Sequence, residues 1–98
     1  MLTEKQKKHL RGLGHALNPV VLVGHDGYSE AVAKELESAL KAHELVKVKA
    51  RVGDRDEREL IFAELADKTS SEIAQRIGNV GLFYRRRKEK SKIVLPDD

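Results

Sequence analysis

The chain has 98 residues, of which 40% are hydrophobic and 36% charged, with a formal net charge of +3 and no cysteine. That balance suits one compact, heavily charged domain and excludes a disulfide scaffold, a cysteine-ligated zinc site and thiol chemistry. No apolar run approaches the length of a membrane span and the start, Met-Leu-Thr-Glu-Lys, lacks a signal-peptide pattern, so a cytoplasmic protein with no membrane partner is expected.

Thr3 and Gln6 fit a capping box that opens a helix running to about Leu13. Leu10, Leu13 and Leu17 would face the core, while Lys8, Arg11 and His15 share the other side at spacings of three and four. Gly12, Gly14 and Pro19 end it. Val20–Val23, β-branched and unbroken, reads as a short buried strand. After Gly24-His25-Asp26-Gly27, Ser29 can cap a second helix to about His43, with Val32, Leu36 and Leu40 on one apolar face. Val46–Val52 alternates strictly, which predicts a half-buried strand with Lys47, Lys49 and Arg51 on its outer side. Asp54 caps a third helix to about Thr69 that buries Ile61, Phe62, Leu65 and Ala66.

Glu72–Ile77 and Val80–Arg85 then read as a hairpin around Gly78-Asn79, with Ile93–Leu95 as a further short edge strand. Tyr84 shares its parity with Leu82, and one strand cannot turn both Phe83 and Tyr84 to the same core. The expected fold class is therefore α/β, one domain of order αβαβαββ, with a four-stranded mixed sheet covered by helices. A basic tail over 85–98 would follow it.

The charge is unevenly spread. Residues 1–12 sum to +3 and residues 85–92 to +5, which leaves the remainder at −5. Cations gathered at both chain ends point to a polyanionic partner. Three groups of residues can meet phosphate. The Gly24-His25-Asp26-Gly27 turn precedes a helix start, where glycines let a backbone come close and free amides face an anion. A comparable GxxG loop clamps nucleotides in KH domains, although Asp26 places a negative charge in this one. Lys47 and Lys49 form a cationic strand face, and Arg85, Arg86, Arg87 and Lys88 a dense cationic run. Gly78-Asn79-Val80-Gly81 repeats the GxxG pattern between two strands and reads as a turn.

Nothing points to catalysis, a metal or a cofactor. His9, His15, His25 and His43 lack metal-ligand spacing, and no lysine follows Gly27 as a nucleotide-binding loop requires. No small-molecule substrate is implied.

Thr3–Leu13, Asn18–Glu30, His43–Lys49, Ile77-Gly78 and Leu82–Arg85 together resemble the bacterial YhbY proteins, the free-standing members of the CRM (chloroplast RNA splicing and ribosome maturation) domain family. The resemblance implies a fold similar to the C-terminal domain of translation initiation factor three. It also implies RNA binding, with ribosomal RNA and large-subunit precursor particles as partners. The family's GxxG loop maps onto Gly24, His25, Asp26 and Gly27, and its basic first helix onto Lys5, Lys8 and Arg11. The expectation is thus a ribosome-assembly protein whose terminal cations converge on the glycine turn. A nucleoid-type DNA binder and a module for an acidic protein partner are the alternatives.

Overall fold

A computed structural model describes residues 2–87 and 91–96, so Lys88 lies outside the described residues. Along the chain come α1 (Glu4–Gly14), β1 (Val21–Val23), α2 (Glu30–His43), β2 (Leu45–Ala50), α3 (Arg55–Thr69), β3 (Glu72–Ile77) and β4 (Val80–Tyr84). The sheet order is β1-β2-β4-β3; β1 runs parallel to β2, and β4 antiparallel to both its neighbours. The expected αβαβαββ architecture is present. So are the caps: Thr3 and Gln6 form the box reciprocally, Ser29 Oγ accepts from the Val32 amide, and the Asp54 carboxylate accepts from the Glu57 amide.

The sheet is covered on both faces, which the alternation of single strands does not reveal. Val21, Val23, Val46, Val48 and Phe83 bury one face against Leu36 and Leu40 of α2 and Phe62 and Leu65 of α3. Phe62 and Phe83 meet edge to face at 5.7 Å, a favourable aromatic geometry. Leu45, Ala74, Leu82 and Tyr84 bury the opposite face against Leu2 and Leu10, with Ile93 and Leu95 packed alongside. Phe83 and Tyr84 are therefore both buried, each in its own core, and Tyr84 offers no stacking surface.

α1 meets the sheet through Leu10 and Gly14 rather than through Leu13 and Leu17. A Cβ at Gly14 would come within 2.7 Å of Leu82 Cδ2, so glycine permits the close approach. Leu13 and Leu17 turn outward, 42% and 37% exposed. In the Val20–Val23 run only Val21 and Val23 are buried. β1 is an edge strand, and on the α1 side Val20 and Leu22 remain more than half exposed. Ile93–Leu95 forms no strand; it is irregular chain beside the smaller core.

In the basic tail after β4, described residues are anchored to the fold. Arg85 donates to both Glu37 carboxylate oxygens, at 2.7 and 2.8 Å, and to the Thr69 carbonyl at the end of α3 at 2.8 Å. This bidentate pair lowers the Glu37 pKa. Glu44, 1% exposed and in a positive-φ conformation (φ 60°), is a second anchor. Its carboxylate accepts from the Ser91 hydroxyl and from the amides of Arg87, Lys92 and Ile93. Burial alone would raise this carboxyl, but the four donors outweigh it and lower the pKa.

A carboxylate held below its ordinary range contributes stability that is present above the unfolded pKa of about 4.3 and is lost as pH falls through the folded pKa. Glu44→Gln turns an amide group toward donors, so it should cost about 1–3 kcal/mol in urea unfolding at pH 7. The gap between wild type and variant should narrow toward pH 3. A gap that stays constant with pH would show that the charge of Glu44 is not what anchors the segment.

Candidate nucleic-acid interface

β1 ends in a tight turn in which the Gly27 amide donates to the Gly24 carbonyl at 3.0 Å, leaving His25 and Asp26 exposed at its tip. The two glycines differ. Gly27 has φ +70° and rests against Ile61 of α3, so it needs the left-handed conformation. Gly24 has open space around it and no positive φ, so a ligand backbone can approach there.

The helix start behind the turn is not an empty anion cradle. Ser29 Oγ takes the Val32 amide, Glu30 occupies the first turn of α2, and the Tyr28 hydroxyl donates to Glu30 at 3.3 Å. Burial, with Glu30 and Glu64 nearby, raises the Tyr28 pKa. Negative charge therefore borders the turn on its helical side. On its other side Lys49 pairs with Leu22, and the Arg51 amide donates to the Val23 carbonyl at 2.8 Å.

The two sheet faces differ in charge. α1 carries Lys5, Lys7, Lys8 and Arg11 against Glu4. Lys47 and Lys49 stand opposite Leu82 and Val80 in the ladder, on the α1 face, and both are half-buried. α2 and α3 on the far face carry eight acidic side chains against five basic ones. Six cations stand against Glu4 and Glu72 on the α1 side, whereas on the other side Arg76, Arg85 and Arg87 join the five helical cations and balance the eight acids, so the α1 side is the positive one.

The terminal cations do converge, but not around the glycine turn. The Leu2 amide donates to Glu72, and Gln6 Nε2 to the Pro96 carbonyl, so both chain ends meet at the Glu72–Tyr84 end of the sheet. There Lys5 and Lys8 share a shallow depression with Pro96, and Arg86 lines the adjoining one. The turn sits at the opposite end, beyond Val23 and Ala50. The five steps from Leu45 to Ala50 separate the two by about 17 Å. Lys47 and Lys49 lie between them. Arg85 is committed to Glu37, which makes it a structural ion pair rather than a free phosphate contact.

Sequence reasoning did not find a groove of about 570 Å³ lined by Leu13, Leu17, Val20, His43 and Lys47. Nor did it find Lys41 and Ser70, which the fold brings beside Arg86 and Arg87. Lys41 lies 44 residues before Arg85, and only the sheet topology unites them. Among the described residues no cluster of three His, Asp or Glu side chains could hold a metal, and no helix is long and apolar enough to cross a membrane.

Residues 2–85 match the family model described as the CRS1 / YhbY (CRM) domain. A "Probable RNA-binding protein" of Pseudomonas aeruginosa is 42% identical over 91 residues, covering 93% of this chain and 88% of that protein. An "RNA-binding protein" of Haemophilus influenzae is 44% identical over 95 residues, covering 97% and 95%. A solution structure from Staphylococcus aureus, of a hypothetical protein named as a candidate RNA binder, superposes with a TM-score of 0.86 at 36% identity. It covers 98% of this chain and all of that one.

The glycines of the turn should separate in a stability measurement. Gly27→Val forces a β-branched residue to positive φ and should cost about 1–3 kcal/mol in urea unfolding. Gly24→Ala should stay within about 0.5 kcal/mol of wild type. Equal losses at both positions would contradict the observed turn geometry.

Proposed function

The chain belongs to the CRS1 / YhbY (CRM) domain family, and from that premise we propose that it is a cytoplasmic RNA-binding protein without catalytic activity that associates with large-subunit ribosomal precursors. The cationic surplus on the α1 side of the sheet carries the reading. RNA lies along the α1 side, with Lys5, Lys8 and Arg11 at one end, Lys47 and Lys49 in the middle, and the Gly24–Gly27 turn at the other. The lysines neutralise phosphates and release condensed counterions, which is the main sequence-independent source of affinity. Gly24 lets a sugar-phosphate strand approach the turn, while Asp26, Glu30 and Glu64 repel it from the helical side and so fix which flank it follows.

Val20 and Leu22, exposed beside the lysines, add apolar surface against which unstacked bases of a loop or bulge can rest. The helix on this face, α1, lies packed on the sheet through Leu10 and Gly14, which favours structured RNA over a duplex DNA major groove as ligand.

Binding of large-subunit ribosomal RNA should weaken steeply with salt. Every phosphate neutralised on a single strand adds about 0.7 to the log–log slope, so a Lys47→Ala/Lys49→Ala double variant should lower it by about 1.4. Filter binding over a salt series measures this; an unchanged slope would remove the strand lysines from the interface. In sucrose gradients the protein should sediment with large-subunit precursors and be released by RNase. Release-resistant association would identify a protein partner instead.

A further inference from the structure

At the sheet end remote from the glycine turn, the C-terminal half of α2, the residue after α3 and the segment after β4 enclose a concavity of about 480 Å³. Lys41, Ser70, Arg85, Arg86, Arg87 and Glu37 line it. Four cations surround one carboxylate, and that carboxylate is already engaged. Both Glu37 oxygens accept from Arg85, and Lys41 Nζ stands 3.9 Å from one of them. Arg85 also caps the Thr69 carbonyl, which offsets the negative end of the α3 dipole at this point. The backbone that presents the other arginines is fixed as well. The Arg85 amide donates to the Glu44 carbonyl and the Arg87 amide to the Glu44 carboxylate, so neighbouring Arg86 and Arg87 are held in place without an anion present. Arg87 spends one guanidinium donor on the Ala42 carbonyl at 3.3 Å and keeps the rest.

We propose that Lys41, Ser70, Arg86 and Arg87 form a second phosphodiester site, separate from the glycine turn and on the α2/α3 side, which an RNA strand on the α1 side reaches by rounding the end of the sheet past Arg86, a residue that lines the depressions on both sides. This inference rests on the RNA-binding reading above and adds a location, a ligand group and a span to it. Charge is gathered in the concavity: Arg86 supplies an exposed guanidinium, Lys41 a point charge 73% exposed, and Ser70 a hydroxyl donor. The two grips lie at least about 17 Å apart, which at the roughly 3.4 Å axial step of a stacked strand corresponds to about five phosphates. A trinucleotide reaches one grip only.

The test is amide NMR titration of the wild-type protein and a Lys41→Ala/Arg86→Ala variant with three probes: inorganic pyrophosphate, a trinucleotide, and an RNA oligomer of about ten nucleotides. Arg85, Glu37 and Glu44 are left intact, so the segment stays anchored, and unchanged shifts at Thr69 and Ile93 verify that. The proposal expects the longer RNA to shift Ser70, Arg86 and Arg87 together with Gly24 and Gly27. It also expects tighter binding of that RNA than of the trinucleotide by at least tenfold. In the variant the concavity shifts and the length advantage disappear, while the shifts at the turn persist.

Shifts confined to the turn, with the concavity silent, overturn this proposal and leave RNA binding standing. Shifts in the concavity alone support the site and remove the turn from the RNA path. Response of the concavity to pyrophosphate but not to RNA overturns the RNA assignment in favour of a small phosphate. No response to RNA anywhere overturns both readings.

Discussion

Strand β4 is buried on both of its faces, and the rest of the molecule is arranged around that constraint. Leu82 and Tyr84 need cover on one side and Phe83 on the other, so a single layer of helices cannot satisfy the strand. α2 and α3 supply the larger cover. α1 supplies the smaller one, approaching closely enough at Gly14 to leave no room for a side chain. Because α1 is short it covers only part of its face, and β2 lysines and the outer residues of β1 stay open to solvent. The partial cover is what creates a binding surface. Full cover would have hidden Lys47 and Lys49; no cover would have left Leu82 and Tyr84 wet.

The same division sorts charge. The helices that cover the larger core carry the acidic surplus, and the helix that covers the smaller one carries cations. Polyanion binding on the α1 side therefore leaves most of the acidic helical surface facing outward. Two acids hold the geometry through bonds to the chain itself. Glu37 captures Arg85, and Glu44 holds Arg87, Ser91, Lys92 and Ile93 at the end of the sheet. Paired and hydrogen-bonded carboxylates of this kind are costly to lose, because their donors would be left unsatisfied.

Much of this is legible in the sequence. The caps at Thr3, Ser29 and Asp54, the alternation through Lys47 and Lys49, and the turn at Gly78-Asn79 each carry a local physical signal, and the family resemblance runs through several of the same stretches. What escapes depends on partners distant in sequence. Val20 and Leu22 look like core because β-branched runs cannot say which strand lies at an edge. Leu13 and Leu17 look like core because helical periodicity does not reveal that a glycine makes the contact. Phe83 and Tyr84 look mutually exclusive unless the sheet has two cores. Arg85 reads as a free cation because its partner, Glu37, lies 48 residues away. The convergence of terminal cations follows from the charge distribution, but its place does not: that is set by strand direction, which puts the end of β4 opposite the end of β1.

The claim that RNA occupies the α1 side of the sheet is tested most directly by lysine footprinting, in which an amine-acylating reagent is applied with and without bound ribosomal RNA and the modified residues are read by mass spectrometry. Lys5, Lys8, Lys47 and Lys49 should become protected, while Lys34 on α2 and Lys68 on α3 stay as reactive as in the free protein. Protection of Lys34 and Lys68, with the α1 and β2 lysines unchanged, would contradict the account.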